Sequence, residues 1–169
     1  MSAMPNHPPI VGSAPPPGSG TATFQWRSEQ DTEAFARRLA AHGQVKDAFI
    51  ALHGDLGAGK TTFVRHLLRA LGVGGRIKSP TYAVVEPHQT AVGPAWHFDF
   101  YRFDDPREWE DAGFRDVFDS PGLKLAEWPE KAGSLLPVAD LDMHIVLQDD
   151  GDRAVTVQAG TARGLDLLR

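Results

Sequence analysis

A chain of 169 residues, 41% hydrophobic and 23% charged, has the size and composition of one well-buried folded domain. The net charge of −5 argues against a domain held on nucleic acid by phosphate neutralisation alone, although a local basic patch is compatible with it. The absence of cysteine excludes disulfides, thiol catalysis and zinc-thiolate sites, and no apolar run approaches the roughly 20 residues needed to span a bilayer.

Residues 1–20 mix six prolines with glycines, a composition that keeps a chain extended and cannot pack a core. They read as a disordered tail ahead of a single domain over residues 21–169. No Lys or Arg precedes an apolar core near the N-terminus, so neither a secretory signal nor a transit peptide is expected, and the expected location is cytoplasmic. Thr21 to Arg27 alternates as a strand does. Ser28 or Asp31 can cap a helix whose Phe35 and Leu39 lie one turn apart, and Gly43 ends it.

The apolar run Ala48 to Leu52 predicts a buried strand, and directly after it comes Gly54-Asp55-Leu56-Gly57-Ala58-Gly59-Lys60-Thr61. This is a complete phosphate-binding P-loop between a strand and a helix. Its glycines let successive backbone N–H groups point at phosphate oxygens, and the following helix adds the positive end of its dipole. Lys60 is placed to reach the β- and γ-phosphates and the Thr61 hydroxyl to ligate Mg²⁺, so the motif predicts binding of a nucleoside triphosphate. Phe63, Val64, Leu67, Leu68 and Leu71 form the core stripe of the helix, with Gly72 at the position of a C′ glycine.

Ser79-Pro80-Thr81-Tyr82 lies where nucleotide switches sit; as an isolated tetrapeptide it reads first as a turn into a strand. Thr81 to Glu86 and Ala95 to Phe103 predict neighbouring antiparallel strands around a loop at His88 to Pro94. Within His97-Phe98-Asp99-Phe100-Tyr101-Arg102, Asp99 shares a face with His97 and Tyr101, opposite Phe98 and Phe100. Asp99 is the best candidate for the second acid that a P-loop needs around its metal, the alternative being a cap on the turn before Pro106.

A short helix follows Pro106 through Asp111, and Asp116 to Phe118 adds a turn. Leu123 to Trp128 reads as a buried strand carrying Glu127, either a metal or water ligand or an edge-strand glutamate; Trp128 reads first as core. Pro129 opens a further short helix that Pro137 stops, and Asp140 to Gln148 with Arg153 to Ala159 forms a hairpin about Asp149-Asp150-Gly151-Asp152. Arg65, Arg69, Arg76 and Lys78 read as solvated charges within reach of a phosphate or a partner. The seven histidines show no metal-ligand spacing. The sum is α/β: a P-loop NTPase-like sandwich with a mixed, partly antiparallel central sheet and the phosphate site at the carboxyl edge of its central strands.

The P-loop through Thr62, Ser79 to Tyr82, His97 to Arg102 and Glu127-Trp128-Pro129-Glu130-Lys131 occur in this order and spacing in one family. Over about Thr21 to Gly160 the chain resembles TsaE, also called YjeE. The resemblance implies a bacterial ATPase using ATP and Mg²⁺, acting with the partner proteins TsaD and TsaB in threonylcarbamoylation of adenosine 37 in tRNAs that read codons beginning with A. In that scheme TsaD transfers the group on a TsaB scaffold, and ATP hydrolysis by this subunit resets or sustains the cycle. Carried over by motif, Lys60 binds phosphates, Thr61 and Glu127 hold Mg²⁺, Asp99 is the Walker-B-like acid, and Thr62 meets the α-phosphate. Ser79 to Tyr82 becomes a switch and Trp128 flanks the nucleotide. Direct tRNA contact is not implied, and the acidic balance predicts weak affinity for it.

Two other classes share the P-loop. A small-molecule kinase needs an arginine-bearing lid, and the sequence shows no Arg-rich lid segment; an assembly factor uses ATP as a conformational ligand with incidental turnover. A GTPase reading lacks the Asn-Lys-x-Asp tetrapeptide.

Overall fold

The computed structural model describes residues 20–80, 84–111 and 113–169. The proline-rich tail expected over residues 1–20 therefore lies outside the described residues except for Gly20. Strand β1 (Thr21–Trp26) buries alternate residues Ala22, Phe24 and Trp26, as a strand covered on one face should. Helix α1 (Glu29–Ala40) starts after Ser28, whose backbone is extended at the cap, and Asp31 accepts a hydrogen bond from the Arg27 N–H at 2.8 Å. Its Thr32, Phe35, Ala36 and Leu39 face the core.

Strand β2 (Phe49–His53) is buried on both sides and leads into the glycine loop and helix α2 (Lys60–Ala70), which buries Phe63, Val64, Leu67 and Leu68. Gly72, at φ 93°, reverses the chain so that the Val73 N–H returns to the Leu68 carbonyl.

Strands β3 (Val85–Thr90) and β4 (Gly93–Asp99) pair antiparallel as expected, but their boundaries differ from the sequence reading. The predicted loop at His88 to Pro94 is mostly strand, and the turn is only Ala91-Val92, closed by Thr90 Oγ1, which donates to the Gly93 carbonyl and accepts the Val92 N–H. Both prolines fit because β3 is an edge strand and Pro94 precedes the residues of β4 that pair with its inner neighbour. The strand also ends at Asp99 rather than Phe103, with the Phe103 N–H folded back to the Phe100 carbonyl. Helices α3 (Pro106–Asp111) and α4 (Phe114–Asp119) precede β5 (Leu123–Glu127), and β6 (Leu141–Leu147) and β7 (Arg153–Ala159) form the expected hairpin. Helix α5 (Ala162–Leu167) was not anticipated; Thr161 caps it by accepting the Gly164 N–H.

The seven strands lie in the order β1-β7-β6-β2-β5-β4-β3. β6, β2, β5 and β4 run parallel and the outer pairs are antiparallel, giving the mixed sheet expected. One core packs α1 and α2 on Ile50, Leu52, Leu123, Leu125 and Ala95; a second, aromatic core on the opposite face gathers Phe49, Ala51, Phe98, Phe100, Trp109 and Phe114. Strand alternation then fixes the site: Glu127 continues the Leu123–Leu125 face and Asp99 the Ala95 face, so both acids emerge on the side of α2. No helix among the described residues is long and apolar enough to cross a membrane.

Candidate functional site

The loop between β2 and α2 requires glycine. Gly54, Gly57 and Gly59 have φ of 154°, 81° and 114°. A Cβ on Gly54 would lie 2.6 Å from the Ile145 carbonyl oxygen and 3.2 Å from Ala58 Cβ, so a side chain is excluded by packing as well as by torsion. Lys60 curls back over the loop. Its Nζ donates to the Gly54 carbonyl and stands 3.6 Å from the centroid of the Trp128 ring. Burial lowers the Lys60 pKa, and the nearby carboxylates of Glu127, Glu130, Asp99 and Asp55 oppose that shift.

Glu127 ends β5, in register with Leu52 on one side and Asp99 on the other. It is only 2% exposed. A buried carboxylate must be satisfied by donors. Thr61 Oγ1 donates to Glu127 at 2.8 and 3.0 Å, and His97 Nε2 donates to Glu127 Oε2 at 2.6 Å. Because the Thr61 proton points at Glu127, the Ser79 hydroxyl is the donor in its 3.0 Å contact with Thr61. His97 is completely buried, and its Nδ1 has no partner among the described residues. The P-loop helix, the post-helix segment and two strands thus converge on one threonine and one glutamate.

Asp99 accepts the Tyr101 N–H at 3.0 Å. Burial raises its pKa, the Tyr101 hydrogen bond opposes the rise, and the charge of Glu127 adds to it. Tyr101 packs on Trp128 with ring centroids 5.0 Å apart. Trp128, at φ 56°, is the one non-glycine with positive φ among the described residues, and that turn swings its ring over Lys60.

These groups line a cleft of about 280 Å³ formed by Leu56, Gly57, Gly59, Lys60, Thr61, Thr62, Ser79, Asp99, Tyr101, Glu127, Trp128 and Arg153. Of the other residues named from sequence, Gly54 supplies the carbonyl that holds Lys60, Asp55 supplies the carbonyl that accepts the Ala58 N–H, and Ala58 is buried in the loop. Pro80 is buried beside Ser79, whereas Thr81 and Tyr82 lie outside the described residues.

Sequence reasoning did not give roles to His97, Tyr101 or Arg153. The first two were legible as face-mates of Asp99 at a spacing of two. Arg153 carried no local signal: it reaches the cleft from β7, where its Nε donates to the Ala58 carbonyl at 2.6 Å.

The donor set of Thr61, Ser79, Glu127 and Asp99 is all oxygen, which suits a hard cation. Among the described residues no group of three or more His, Cys, Asp or Glu could hold a metal by itself. A cation here would therefore complete its shell with water and ligand oxygens, the usual arrangement for Mg²⁺ beside phosphates.

The comparisons with known proteins converge. Residues 26–155 match the family model described as "Threonylcarbamoyl adenosine biosynthesis protein TsaE". The chain is 41% identical over 134 residues to the tRNA threonylcarbamoyladenosine biosynthesis protein TsaE of Haemophilus influenzae, covering 79% of this chain and 84% of that one. It is 35% identical over 138 residues to the protein of the same name from Bacillus subtilis, covering 80% and 85%. Among solved structures, the crystal structure of Bacillus subtilis YdiB superposes with a TM-score of 0.73 at 28% identity, covering 87% of this chain and 90% of that one.

Proposed function

The chain belongs to the TsaE family, and from that premise we propose that residues 21–169 act as one Mg²⁺-dependent ATPase domain serving tRNA threonylcarbamoyladenosine biosynthesis together with TsaD and TsaB. The observation that carries the reading is the bifurcated hydrogen bond from Thr61 Oγ1 to both oxygens of Glu127, which ties the P-loop helix to the end of β5 where a triphosphate's metal would sit. A phosphate loop alone binds phosphates. A loop whose threonine already faces a buried carboxylate is set up to bind them with a divalent cation.

Each side chain then has a task. The backbone N–H groups of Gly57 to Thr61 cradle the phosphates, and Lys60 leaves the Gly54 carbonyl and the Trp128 face to pair with them. Thr62 stands at the α-phosphate. Thr61 and Glu127 hold the cation, with Asp99 supporting its water shell, and Mg²⁺ when bound neutralises charge developing on the phosphoryl oxygens. His97 keeps the Glu127 carboxylate pointed at Thr61. The direct contact of Ser79 with Thr61 supports reading the segment that begins at Ser79 as the switch that reports the state of the phosphates. Trp128 flanks the nucleotide.

Hydrolysis by the isolated protein is slow in this reading. Arg153 is the one arginine lining the cleft among the described residues, and it is tied to the Ala58 carbonyl. The partner pair accelerates turnover by completing or reorganising the site. Phosphate release with and without TsaD and TsaB tests this: stimulation supports it, whereas no stimulation together with phosphate transfer to a small acceptor supports a kinase.

A further inference from the structure

The helix α2 face and the segment after it carry an unusual charge pattern. From Leu56 to Val85 the chain holds Lys60, Arg65, Arg69, Arg76 and Lys78 and not one Asp or Glu. On the opposite side of the sheet, residues 104–119 hold seven acids against two arginines. The net charge of −5 thus hides a basic strip along α2 and the loop after it, bordered by Glu29, Asp31 and Glu33 of α1, and an acidic segment across the sheet.

Arg65, Arg69, Arg76 and Lys78 are all exposed. Two of them are also held in place. Arg65 Nε donates to the Ile77 carbonyl, fixing the basic loop against the helix, and Arg69 Nη1 donates to the Val73 carbonyl, each leaving further guanidinium donors free. Arg37 on α1 stands across a groove from Arg69 but is paired with Glu33, which lines the same groove, so the basic surface proper is the outer face of α2 and the loop after it.

From this face we infer a docking surface for the phosphate backbone of RNA, which in this pathway is the tRNA. Charge and polarity together favour that occupant. The exposed large hydrophobics of the described residues include none on α1, on α2 or in residues 71–80, whereas protein interfaces have an apolar or aromatic centre. A positive, arginine-rich surface with no apolar centre is the signature of a polyanion site. The surface also ends at Ser79, whose hydroxyl contacts Thr61, so RNA on the basic loop lies one residue from a group that touches the P-loop threonine. The inference rests on the proposed function only for the choice of tRNA among RNAs.

The test is fluorescence anisotropy of a labelled tRNA transcript with the full chain between 50 and 200 mM salt. Wild type is expected to bind with a log K against log salt slope of about −2 to −3, the value for three or four neutralised phosphates. Arg69→Gln/Arg76→Gln/Lys78→Gln should weaken binding at least about tenfold at low salt and bring the slope near zero. Arg76→Glu/Lys78→Glu, confined to the loop, should do the same with an unchanged melting temperature. Lys60→Ala should bind the transcript as wild type does, so a failure at the nucleotide site and a failure at this surface remain separable. Equal affinity of wild type and the triple variant overturns the inference. So does a wild type that ignores the transcript while the triple variant loses association with TsaD and TsaB, which would assign the face to an acidic protein surface.

Discussion

Glu127→Gln keeps the shape of the residue at the centre of the site and removes its charge. The wild-type carboxylate accepts two donors, Thr61 Oγ1 and His97 Nε2, while 2% exposed. A glutamine with its oxygen at the Oε2 position can still accept from both, but it turns an NH₂ toward Thr61 Oγ1 and removes the charge that strengthens both hydrogen bonds. Losing the charge from two buried hydrogen bonds costs about 1–3 kcal/mol, which for a domain of this size lowers the melting temperature by about 3–10 °C. The catalytic loss should be larger. Removing one preorganised group that stabilises developing charge costs about 10²–10³ in turnover, or roughly 3–4 kcal/mol of barrier. ATP affinity should hold within a few fold, because Lys60 and the loop N–H groups are untouched. The assays are a thermal melt with and without ATP and Mg²⁺, and phosphate release at saturating ATP over a Mg²⁺ series. Normal turnover at saturating Mg²⁺ would refute the role given to Glu127, and an unchanged melting temperature would refute the account of its hydrogen bonding.

Gly54→Ala forces a Cβ to 2.6 Å from the Ile145 carbonyl, and the melting temperature should fall by about 5–15 °C; a loss under 2 °C would show that the loop relaxes freely. Lys60→Ala should abolish the rise in melting temperature that ATP gives wild type, and a retained rise would remove Lys60 from phosphate binding. Burial raises the Asp99 pKa above its unfolded value near 3.8, so the folded state binds the extra proton and nucleotide-free stability falls as pH rises through the raised pKa. Asp99→Asn should therefore gain stability relative to wild type between pH 4 and pH 7 in urea titrations while turning over ATP more slowly. A difference that stays flat with pH would contradict that assignment.

Much of this site was legible because its determinants are local. The P-loop glycines answer to positive φ at three positions within six residues, and the alternation of His97, Asp99 and Tyr101 puts three side chains on one face. Glu127 was ambiguous from its own strand. What resolves it is the parallel register of β2, β5 and β4, which places it between Leu52 and Asp99 and beside Thr61, and register is not written in any single segment. Arg153 was invisible for the same reason, since its partner is 95 residues away. The misplaced β3–β4 loop has a different origin: Gly93 and Pro94 read as loop, yet Pro94 precedes the first residue of β4 paired with β5 and Pro87 sits on the edge strand, so neither missing N–H is needed by a neighbour. Helix α5 was missed because it is six residues long with a glycine inside, and its capping Thr161 had no apolar stripe after it to recommend it.

The proposed function requires the nucleotide site to drive tRNA threonylcarbamoylation. The direct measurement is product formation on tRNA in a mixture reconstituted with TsaD and TsaB, with this protein added, omitted, or carrying Lys60→Ala. Product that accumulates over repeated turnovers with wild type, and stalls both without the protein and with Lys60→Ala, is the predicted result. Equal product from wild type and Lys60→Ala would contradict the account.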